Sequence, residues 1–292
     1  MKKVFVTGGT GFVGSHVISR LIEKGVHVRA LVRDKTPHKD AEAVRGDILR
    51  PETFTDALKD ADAVINLVGI IREFPEKGIT FENMHYSAAK NITDAAKEAG
   101  VKRLIHMSAN GTRKNAVSGY HKTKYMAEEY IKNSGLDFTI FRPSLIYGRG
   151  DSFISMLAGY MKKAPAFTYF GDGSYPMQPV SVYEVADAFT EALFRDAAIG
   201  RTYHLCGNRV YTYKELLREI SKAMNRDMIL LPVPEGLISL AISLFGGFSF
   251  FPITRDQFIM LKEGNTCAET FAFSELGIEQ RDFPSEIKKY IS

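Results

Sequence analysis

Short apolar runs of strand length alternate with longer amphipathic stretches over the first half of the chain. The stretch Phe12–Lys24, for instance, repeats its apolar residues at helical spacing and stops at Gly25, a residue type that commonly ends helices. This alternation predicts parallel strand pairing through right-handed crossovers, and therefore an α/β fold with a doubly wound parallel sheet of the Rossmann type. The predicted strands are Lys3–Thr7, Val26–Val32, Ala43–Arg45, Ala63–Leu67, Arg103–Met107 and Asp137–Arg142, and the predicted helices between them are Phe12–Lys24, Glu82–Ala99 and Tyr120–Ser134.

The pattern loosens beyond the sixth strand, where glycines and prolines mark loops. Two capping boxes predict helices in this half, one formed by Ser181 and Glu184 and the other by Thr212 and Glu215. We expect a smaller, irregular C-terminal lobe there. The predicted boundaries are 1–147 for the Rossmann domain, completed by about 178–206, and 148–177 with 207–292 for the substrate or partner lobe.

Composition and charge narrow the class of protein. Hydrophobic residues make up 45% and charged residues 25% of the 292 residues, as in ordinary soluble globular proteins. The formal net charge is +4 and the sequence contains no dense block of Lys and Arg, which argues against nucleic-acid binding. No targeting segment precedes the first strand, and the apolar run Leu237–Phe251 is too short to span a membrane. We therefore expect a cytoplasmic protein.

The two cysteines, Cys206 and Cys267, lie far apart in the sequence, and neither has neighbours at metal-ligand spacing. This usage predicts two reduced, mostly buried thiols in a reducing compartment. The histidines His85 and His204 also lack partners at metal spacing, so no metal site is predicted.

The segment from Thr7 to Gly14 reads Thr-Gly-Gly-Thr-Gly-Phe-Val-Gly and joins the first predicted strand to the first predicted helix. Gly8 permits a tight turn, Gly11 lets the backbone approach a pyrophosphate, and Gly14 allows the helix to pack close to the sheet. The start of the helix then offers unpaired N–H groups and a partial positive charge to phosphates. This arrangement predicts a nicotinamide dinucleotide site at the N-terminal end of the chain.

Residues at the ends of the second and third strands decide how the dinucleotide is held. A site for NAD has an acid about 20 residues past the glycines, which binds the ribose hydroxyls. Here Arg33, Asp34 and Lys35 occur together, and the two cations can pair with a 2′-phosphate unless all three are solvated loop charges. NADP(H) is therefore favoured, and NAD(H) is the alternative if Asp34 reaches the ribose. Asp47 is expected either to meet the adenine edge or to stabilise its own turn.

Several motifs together resemble the short-chain dehydrogenase/reductase superfamily, in its extended or atypical branch of NAD-dependent epimerase/dehydratase-like proteins. They are the glycine turn, the Gly46-Asp47 pair and a Tyr-xxx-Lys helix, followed by later segments similar to that branch. The chain is similar in particular to the group around the NAD(P)-binding accessory subunit of respiratory complex I and its prokaryotic relatives. The resemblance covers about Lys2–Leu231, and its later segments are 141–151, 170–173, 178–180 and 184–187.

The resemblance implies a tyrosine and a lysine that act together. In the family the tyrosine is the general acid/base, and the lysine four residues later lowers its pKa and holds the nicotinamide ribose. Tyr120 and Lys124 fit this pattern, because their spacing places both side chains on one helix face. The ordinary pKa of a tyrosine is about 10, so a nearby cation must lower this pKa before the phenol acts as a base near neutrality. Tyr86 and Lys90 have the same spacing, but Tyr120 starts the helix after the fifth strand, near the expected nicotinamide position.

The resemblance also implies a hydroxyl residue at the end of the fifth strand that holds the substrate oxygen. Here Ser108 is followed by Ala109 and Asn110, whereas related enzymes often carry two or three hydroxyl residues in succession. Three alternatives stay open: Ser108 holds the substrate oxygen, Asn110 donates a hydrogen bond to that oxygen instead, or neither residue contacts it. This departure from the family pattern bears on turnover more than on cofactor binding. The residues implied for cofactor binding are Thr7, Gly8, Gly11, Phe12, Val13, Gly14, Arg33, Lys35, Asp47, Ile48, Val68, Gly69, Tyr120, Lys124 and Pro143.

Two functions stay open at this point. One is an oxidoreductase or epimerase/dehydratase that uses the Tyr-Lys pair on a carbonyl or alcohol substrate, whose identity the sequence does not reveal. The other is a non-catalytic NADP(H)-binding structural or sensing module, which is the role attributed to the complex I accessory subunit. The apolar run Leu237–Phe251 is expected to cover a substrate cleft or pack within the lobe, or else to contact a partner or a membrane surface, and it is compatible with an oligomer.

Overall fold

The computed structural model describes residues 1–34, 38–246, 253–269 and 271–291. Lys35 and the part of the apolar run from Gly247 to Phe251 therefore lie outside the described residues. The strands are β1 Lys3–Thr7, β2 His27–Val32, β3 Glu42–Arg45, β4 Ala63–Asn66, β5 Arg103–Met107, β6 Asp137–Pro143, β7 Ile146–Tyr147, β8 Ala166–Phe170, β9 Pro176–Met177, β10 Val180–Ser181, β11 Arg201–Leu205, β12 Tyr211–Thr212 and β13 Ile229–Val233. The α-helices are α1 Phe12–Glu23, α2 Ala88–Glu98, α3 Gly119–Lys132, α4 Phe153–Met161, α5 Val182–Ala192, α6 Tyr213–Ala223, α7 Glu235–Phe245, α8 Arg255–Glu263, α9 Ala272–Leu276 and α10 Phe283–Ile291.

The main sheet has seven strands in the order β11-β6-β5-β4-β1-β2-β3, and every neighbouring pair is parallel. The chain runs outward from β1 through β2 to β3 and then returns to β4 on the other side of β1. The strand order thus reverses at β1, and ligands of open α/β sheets bind at the carboxyl ends of the strands at such a point. The doubly wound Rossmann fold predicted from the sequence is confirmed.

Small and aliphatic residues let α2 and α3 pack closely on the sheet. The helix predicted over Glu82–Ala99 begins as a π-helix at Glu82–Ser87 and continues as α2. Each fully buried Val, Leu, Ile or Phe side chain in this layer stabilises the fold by about 1.5–3 kcal/mol. The layer includes Phe5, Val64, Leu104 and Ile140 from the strands, Ala88, Ala89 and Ile92 from α2, and Ala127 and Ile131 from α3.

The chain divides into two compact units. The first unit contains the seven-stranded sheet and comprises Met1–Pro143, Val182–Leu205 and Phe271–Glu279. The second comprises Ser144–Ser181, Cys206–Thr270 and Gln280–Ser292. The segment Phe271–Glu279 returns to the first unit, although the sequence assigned it to the smaller lobe, because Tyr203 on β11 donates to Glu275 at 3.0 Å.

The second unit is built from short strand pairs and helices around its own apolar core. Its strands pair as β7 with β10, β9 with β12 and β8 with β13, and its core includes Tyr147, Leu157, Leu216, Ile220 and Phe283. The capping box of Thr212 and Glu215 is present at the start of α6, as predicted. Within the described ranges, no helix is long and apolar enough to cross a membrane.

Cys206 and Cys267 form a disulfide within the second unit, so the prediction of two reduced thiols is wrong. The Gln178 side chain forms hydrogen bonds to the backbone on both sides of the disulfide. It donates to the Gly207 carbonyl at 2.7 Å and accepts from the Cys267 amide at 3.0 Å. The sequence separation of 61 hid this proximity, because the proximity depends on how distant segments fold together. The expectation of a reducing compartment, and with it part of the case for a cytoplasmic protein, loses this support.

Candidate functional site

The glycine turn follows β1 and lies against the backbone that follows β4. Gly8 has a φ of +75°, and a Cβ there would lie 2.7 Å from the carbonyl carbon of Leu67, so no side chain fits at this position. A Cβ on Gly14 would overlap the carbonyl oxygen of Gly8. The third glycine therefore lets the first turn of α1 pack on the turn itself, whereas the sequence argument placed this contact between helix and sheet.

The start of α1 is open to an anion. Gly11 is the N-cap, it provides no side-chain cap, and no acidic residue occurs in the first turn. The amides of Phe12, Val13 and Gly14 in this turn cannot find intrahelical partners, and the helix dipole adds positive potential. These glycine positions and amides fit the diphosphate of a dinucleotide.

The residues that would choose between NADP(H) and NAD(H) lie at the end of β2. Arg33 and Asp34 are both exposed directly after Val32, and Lys35 is outside the described residues. In the described part of the chain, neither Arg33 nor Asp34 forms an ion pair. The preference for NADP(H) therefore stays a prediction.

Asp47 stabilises its own turn after β3. Its Oδ1 accepts from the Leu49 amide at 3.0 Å, and its Oδ2 lies 3.9 Å from Nε of Arg50. The next residue, Ile48, is buried, and its carbonyl accepts from Asn91 Nδ2 on α2 at 3.0 Å. The turn role of Asp47 is thus observed, and its contact with adenine stays a prediction.

Lys124 lies between the carboxyl ends of β4 and β5. Its side chain is only 2% exposed, and Nζ donates to the Met107 carbonyl at 2.9 Å. A Cβ on Gly69 would lie 3.1 Å from the same Nζ, so the loop after β4 passes directly beside the amine. Burial lowers the pKa of Lys124 to about 8, and the carboxylate of Glu128 opposes this shift. The structure thus brings together at this sheet edge Gly69 and Lys124, two of the residues predicted to bind the cofactor.

Tyr120 is the second residue of α3, one turn before Lys124, and its ring lies among other aromatic rings. The Ser118 side chain caps this helix by accepting from the His121 amide. The Tyr120 ring contacts the rings of Phe81, His85 and His121 at centroid distances of 5.8, 5.0 and 5.2 Å. Burial raises the pKa of Tyr120 to about 12, which is opposite to the lowering expected from Lys124. Desolvation is the cause of this rise, and the lowering of the Tyr120 pKa by Lys124 that the family resemblance implies stays a prediction.

His85 ties the loop after β4 to α3. Its Nδ1 lies 2.9 Å from Thr123 Oγ1, and its Nε2 lies 3.2 Å from the amide of Ile70. Burial and the charge of Lys124 lower the pKa of His85 to about 2, so this histidine is neutral. The sequence did not single it out for this role, because its two partners are 15 and 38 residues away.

A second hydroxyl accompanies Ser108 after β5. Both Ser108 and Thr112 are buried, and Ser108 Oγ donates to Thr112 Oγ1 at 3.3 Å. Asn110 is turned to β11 instead, where its Oδ1 lies 2.8 Å from His204 Nδ1, and its amide donates to the carbonyl of Pro143. Thr112 was missed because the family pattern places the hydroxyl residues in succession, whereas here the chain turns back at Gly111, whose φ is +88°.

The second Tyr-xxx-Lys pair, Tyr86 and Lys90, contacts Asp94 and Tyr130. Lys90 Nζ forms an ion pair with Asp94 at 2.7 Å and lies over the ring of Tyr130. Tyr86 contacts the same Tyr130 ring. These residues form an outer cluster on α2 and α3, so the geometry favours Tyr120 and Lys124. Across the described residues, no group of three or more His, Cys, Asp or Glu is arranged to hold a metal ion.

Comparison with known proteins identifies the family and the fold of the chain. A family model described as NAD(P)H-binding matches residues 8–163. The mitochondrial NADH dehydrogenase [ubiquinone] 1 alpha subcomplex subunit 9 of Arabidopsis thaliana is 29% identical, covering 98% of this chain and 75% of that protein. Ceramide reductase of Caulobacter vibrioides is 27% identical, covering 87% and 81%. A nucleoside-diphosphate-sugar epimerase structure from Staphylococcus aureus matches with a TM-score of 0.79 and 20% identity, covering 99% and 100%, which is a likeness of fold.

Proposed function

The chain belongs to the NAD(P)H-binding family, and from this premise we propose that it is an NADP(H)-dependent reductase of a carbonyl substrate that uses Tyr120 and Lys124. The observation that carries the proposal is the position of Lys124, buried between Gly69 and Met107 one turn after Tyr120. The similarity to ceramide reductase favours reduction over epimerisation or dehydration, since the likeness to an epimerase at 20% identity concerns the fold alone.

The residues divide the work of such a reaction among them. When bound, NADPH supplies a hydride from C4 of its nicotinamide. The first-turn amides of α1 hold the diphosphate, and Lys124 donates to the nicotinamide ribose. Ser108 and Thr112 orient the carbonyl oxygen, and Tyr120 delivers the proton to that oxygen. A tyrosine whose pKa is about 12 carries its proton at neutral pH, which suits the reductive direction.

The test replaces the proposed acid and leaves the ring in place. Tyr120→Phe is expected to lower turnover of an active carbonyl substrate by about 100-fold or more, which is the usual contribution of a general acid. NADPH affinity is expected to stay within about twofold, because the variant keeps the first-turn amides of α1 and Lys124, which supply the main proposed contacts to the dinucleotide. Turnover is followed by loss of NADPH absorbance, and affinity by fluorescence titration.

Tyr86→Phe is the matched control, because Tyr86 belongs to the other Tyr-xxx-Lys pair and lies in the outer cluster with Tyr130. This variant is expected to keep full turnover. Equal activity of the wild type and Tyr120→Phe would show that the acid has been assigned to the wrong residue.

A second candidate is a non-catalytic NADP(H)-binding subunit that associates with a protein partner. A specific surface favours it: Leu237, Leu240 and Leu244 on α7 are each about 60% exposed. Ile242 is the buried residue of this helix, and the sequence holds no charged residue between Glu235 and Arg255. Exposed apolar faces of this kind mark interaction sites. The similarity to a complex I subunit supports the same reading.

A further inference from the structure

A buried polar row crosses three neighbouring strands at their carboxyl ends. Thr7 on β1 is the register partner of Asn66 on β4, and Asn66 is the register partner of His106 on β5. Each of the three residues is at most 1% exposed. Thr7 Oγ1 donates to Asn66 Oδ1 at 2.7 Å, and Asn66 Nδ2 lies 3.2 Å from His106 Nδ1. The row begins at the residue before the glycine turn and ends beneath α3.

The orientation of the Asn66 amide follows from a backbone contact. The Val68 amide donates to Asn66 Oδ1 at 3.2 Å. A backbone N–H can only donate, so the atom that it meets must be the oxygen. The NH₂ group of Asn66 therefore faces His106, and it too can only donate.

This orientation sets the protonation of His106. Because Asn66 donates to Nδ1, that nitrogen must be an acceptor without a proton, and a neutral imidazole then carries its proton on Nε2. Protonation of Nδ1 would bring two N–H donors face to face. The Nε2 atom is buried and, within the described residues, it has no hydrogen-bond partner.

Charged and titratable groups surround His106 on the side of the helices. Lys124 on α3 donates to the carbonyl of Met107, the next residue after His106. Electrostatic interactions also link His85 with His106, Lys124 and His121, and Glu128 acts on Lys124. Burial and the charge of Lys124 lower the pKa of His106 well below its ordinary value. A second positive charge here would compete with the Lys124 ammonium.

We propose that Asn66 and His106 are positioning residues of the Lys124 site. Asn66 holds His106 neutral as the Nε2–H tautomer, so the positive charge at this sheet edge stays on Lys124. The inference rests on the proposed function for the role of Lys124, and on hydrogen-bond geometry for the state of His106. It extends the site to two residues that touch neither of the proposed reacting atoms.

The state of His106 is measured in the full-length protein by ¹⁵N NMR with labelled histidine, and His106→Gln identifies its signals among those of the 7 histidines. Wild-type His106 is expected to show a protonated Nε2, an unprotonated Nδ1 and no titration between about pH 5 and 8. An Nδ1–H tautomer, or a titration within that range, would overturn the proposal. This experiment needs neither substrate nor turnover.

Asn66→Asp replaces the donor that faces His106 by an acceptor, and Asn133→Asp makes the same change at an exposed helix end. In the first variant the carboxylate favours a protonated Nδ1, so the pKa of His106 rises and its titration enters the range of about pH 5 to 9. The control leaves His106 unchanged. A folded Asn66→Asp protein with wild-type His106 signals would contradict the proposal. If that variant does not fold, the wild-type spectrum alone tests the tautomer and the titration of His106.

NADPH titration then tests the link to Lys124. In Asn66→Asp, the dissociation constant is expected to rise as pH increases through the new His106 transition, because loss of the imidazolium leaves an uncompensated carboxylate near an anionic ligand. The wild type and Asn133→Asp should lack this His106 step and show only the rise that loss of the Lys124 proton causes near pH 8. An Asn66→Asp profile equal to that of the control would refute the positioning role. If no protein binds NADPH, the proposed function fails, whereas the NMR result still decides how Asn66 sets His106.

Discussion

Burial moves the pKa values of Tyr120 and Lys124 in opposite directions, to about 12 and about 8. Both changes favour the neutral form of each group. Near neutral pH, Tyr120 keeps its proton and most of the Lys124 population is charged. In the proposed reaction these states pair a proton donor, Tyr120, with a cationic ligand of the ribose, Lys124, which suits carbonyl reduction. Alcohol oxidation would first require the phenol to lose its proton.

Cofactor preference is also decided at single residues. Arg33→Ala is expected to weaken NADPH binding by about 10- to 100-fold, the equivalent of one lost charge-assisted hydrogen-bond group, and to leave NADH binding nearly unchanged. Isothermal titration with both cofactors measures the difference. Arg218→Ala removes the same charge from an exposed position on α6 and should bind both cofactors like the wild type. If Asp34→Asn weakens NADH binding and Arg33→Ala leaves NADPH binding intact, the chain prefers NAD(H).

At the scale of elements, α3 is the support of the proposed site. Arg142 on β6 donates two hydrogen bonds to the Glu128 carboxylate, from Nε at 2.8 Å and from Nη2 at 2.5 Å. The Glu128 side chain is fully buried and that of Arg142 is 17% exposed. Since Glu128 lies one turn after Lys124, this ion pair fixes the rotation of α3 that aims Lys124 at the sheet edge.

Breaking this pair from one side should be costly. Glu128→Gln is expected to lower the free energy of unfolding by about 3 kcal/mol, because Arg142 is left with an uncompensated and largely buried charge. Urea unfolding measures the loss. The neighbouring Glu129→Gln affects a partly exposed pair with Lys132 and should change stability by about 0.5 kcal/mol or less. Equal losses in the two variants would show that the Glu128 pair does not anchor the helix.

At the scale of the whole molecule, the second unit carries an apolar surface that its described residues leave exposed. Leu237, Leu240 and Leu244 recur at helical spacing along the exposed side of α7. Their continued exposure in water is unfavourable, and association would remove it. The disulfide in the same unit joins Cys206, the residue after β11 in the sequence, to the segment that follows α8.

In purified protein, with no other partner present, this face is expected to bury itself against a second copy. Sedimentation velocity should therefore show assemblies that grow with protein concentration, and Leu240→Glu should return the protein to the monomer. Ile71→Glu is the control, because Ile71 is a similarly exposed aliphatic residue, 53% exposed, in the first unit. Identical sedimentation of the wild type and Leu240→Glu would argue against an association surface on α7.

The sequence by itself determined the features that depend on neighbours along the chain. Alternating strand and helix patterns predicted the doubly wound sheet, the spacing of Gly8, Gly11 and Gly14 predicted the turn, and the four-residue spacing of Tyr120 and Lys124 predicted their shared helix face. These features follow from local hydrogen bonding and from the period of each element, both of which are written into consecutive residues.

The tertiary structure alone decided which distant residues meet and how burial alters their chemistry. It joined Cys206 to Cys267, placed Thr112 beside Ser108, and aligned Thr7, Asn66 and His106 across three strands. It also raised the pKa of the tyrosine that the family pattern led us to expect lowered. Strand register and desolvation produce these outcomes, and both depend on the packing of segments far apart in the sequence, which no local pattern specifies.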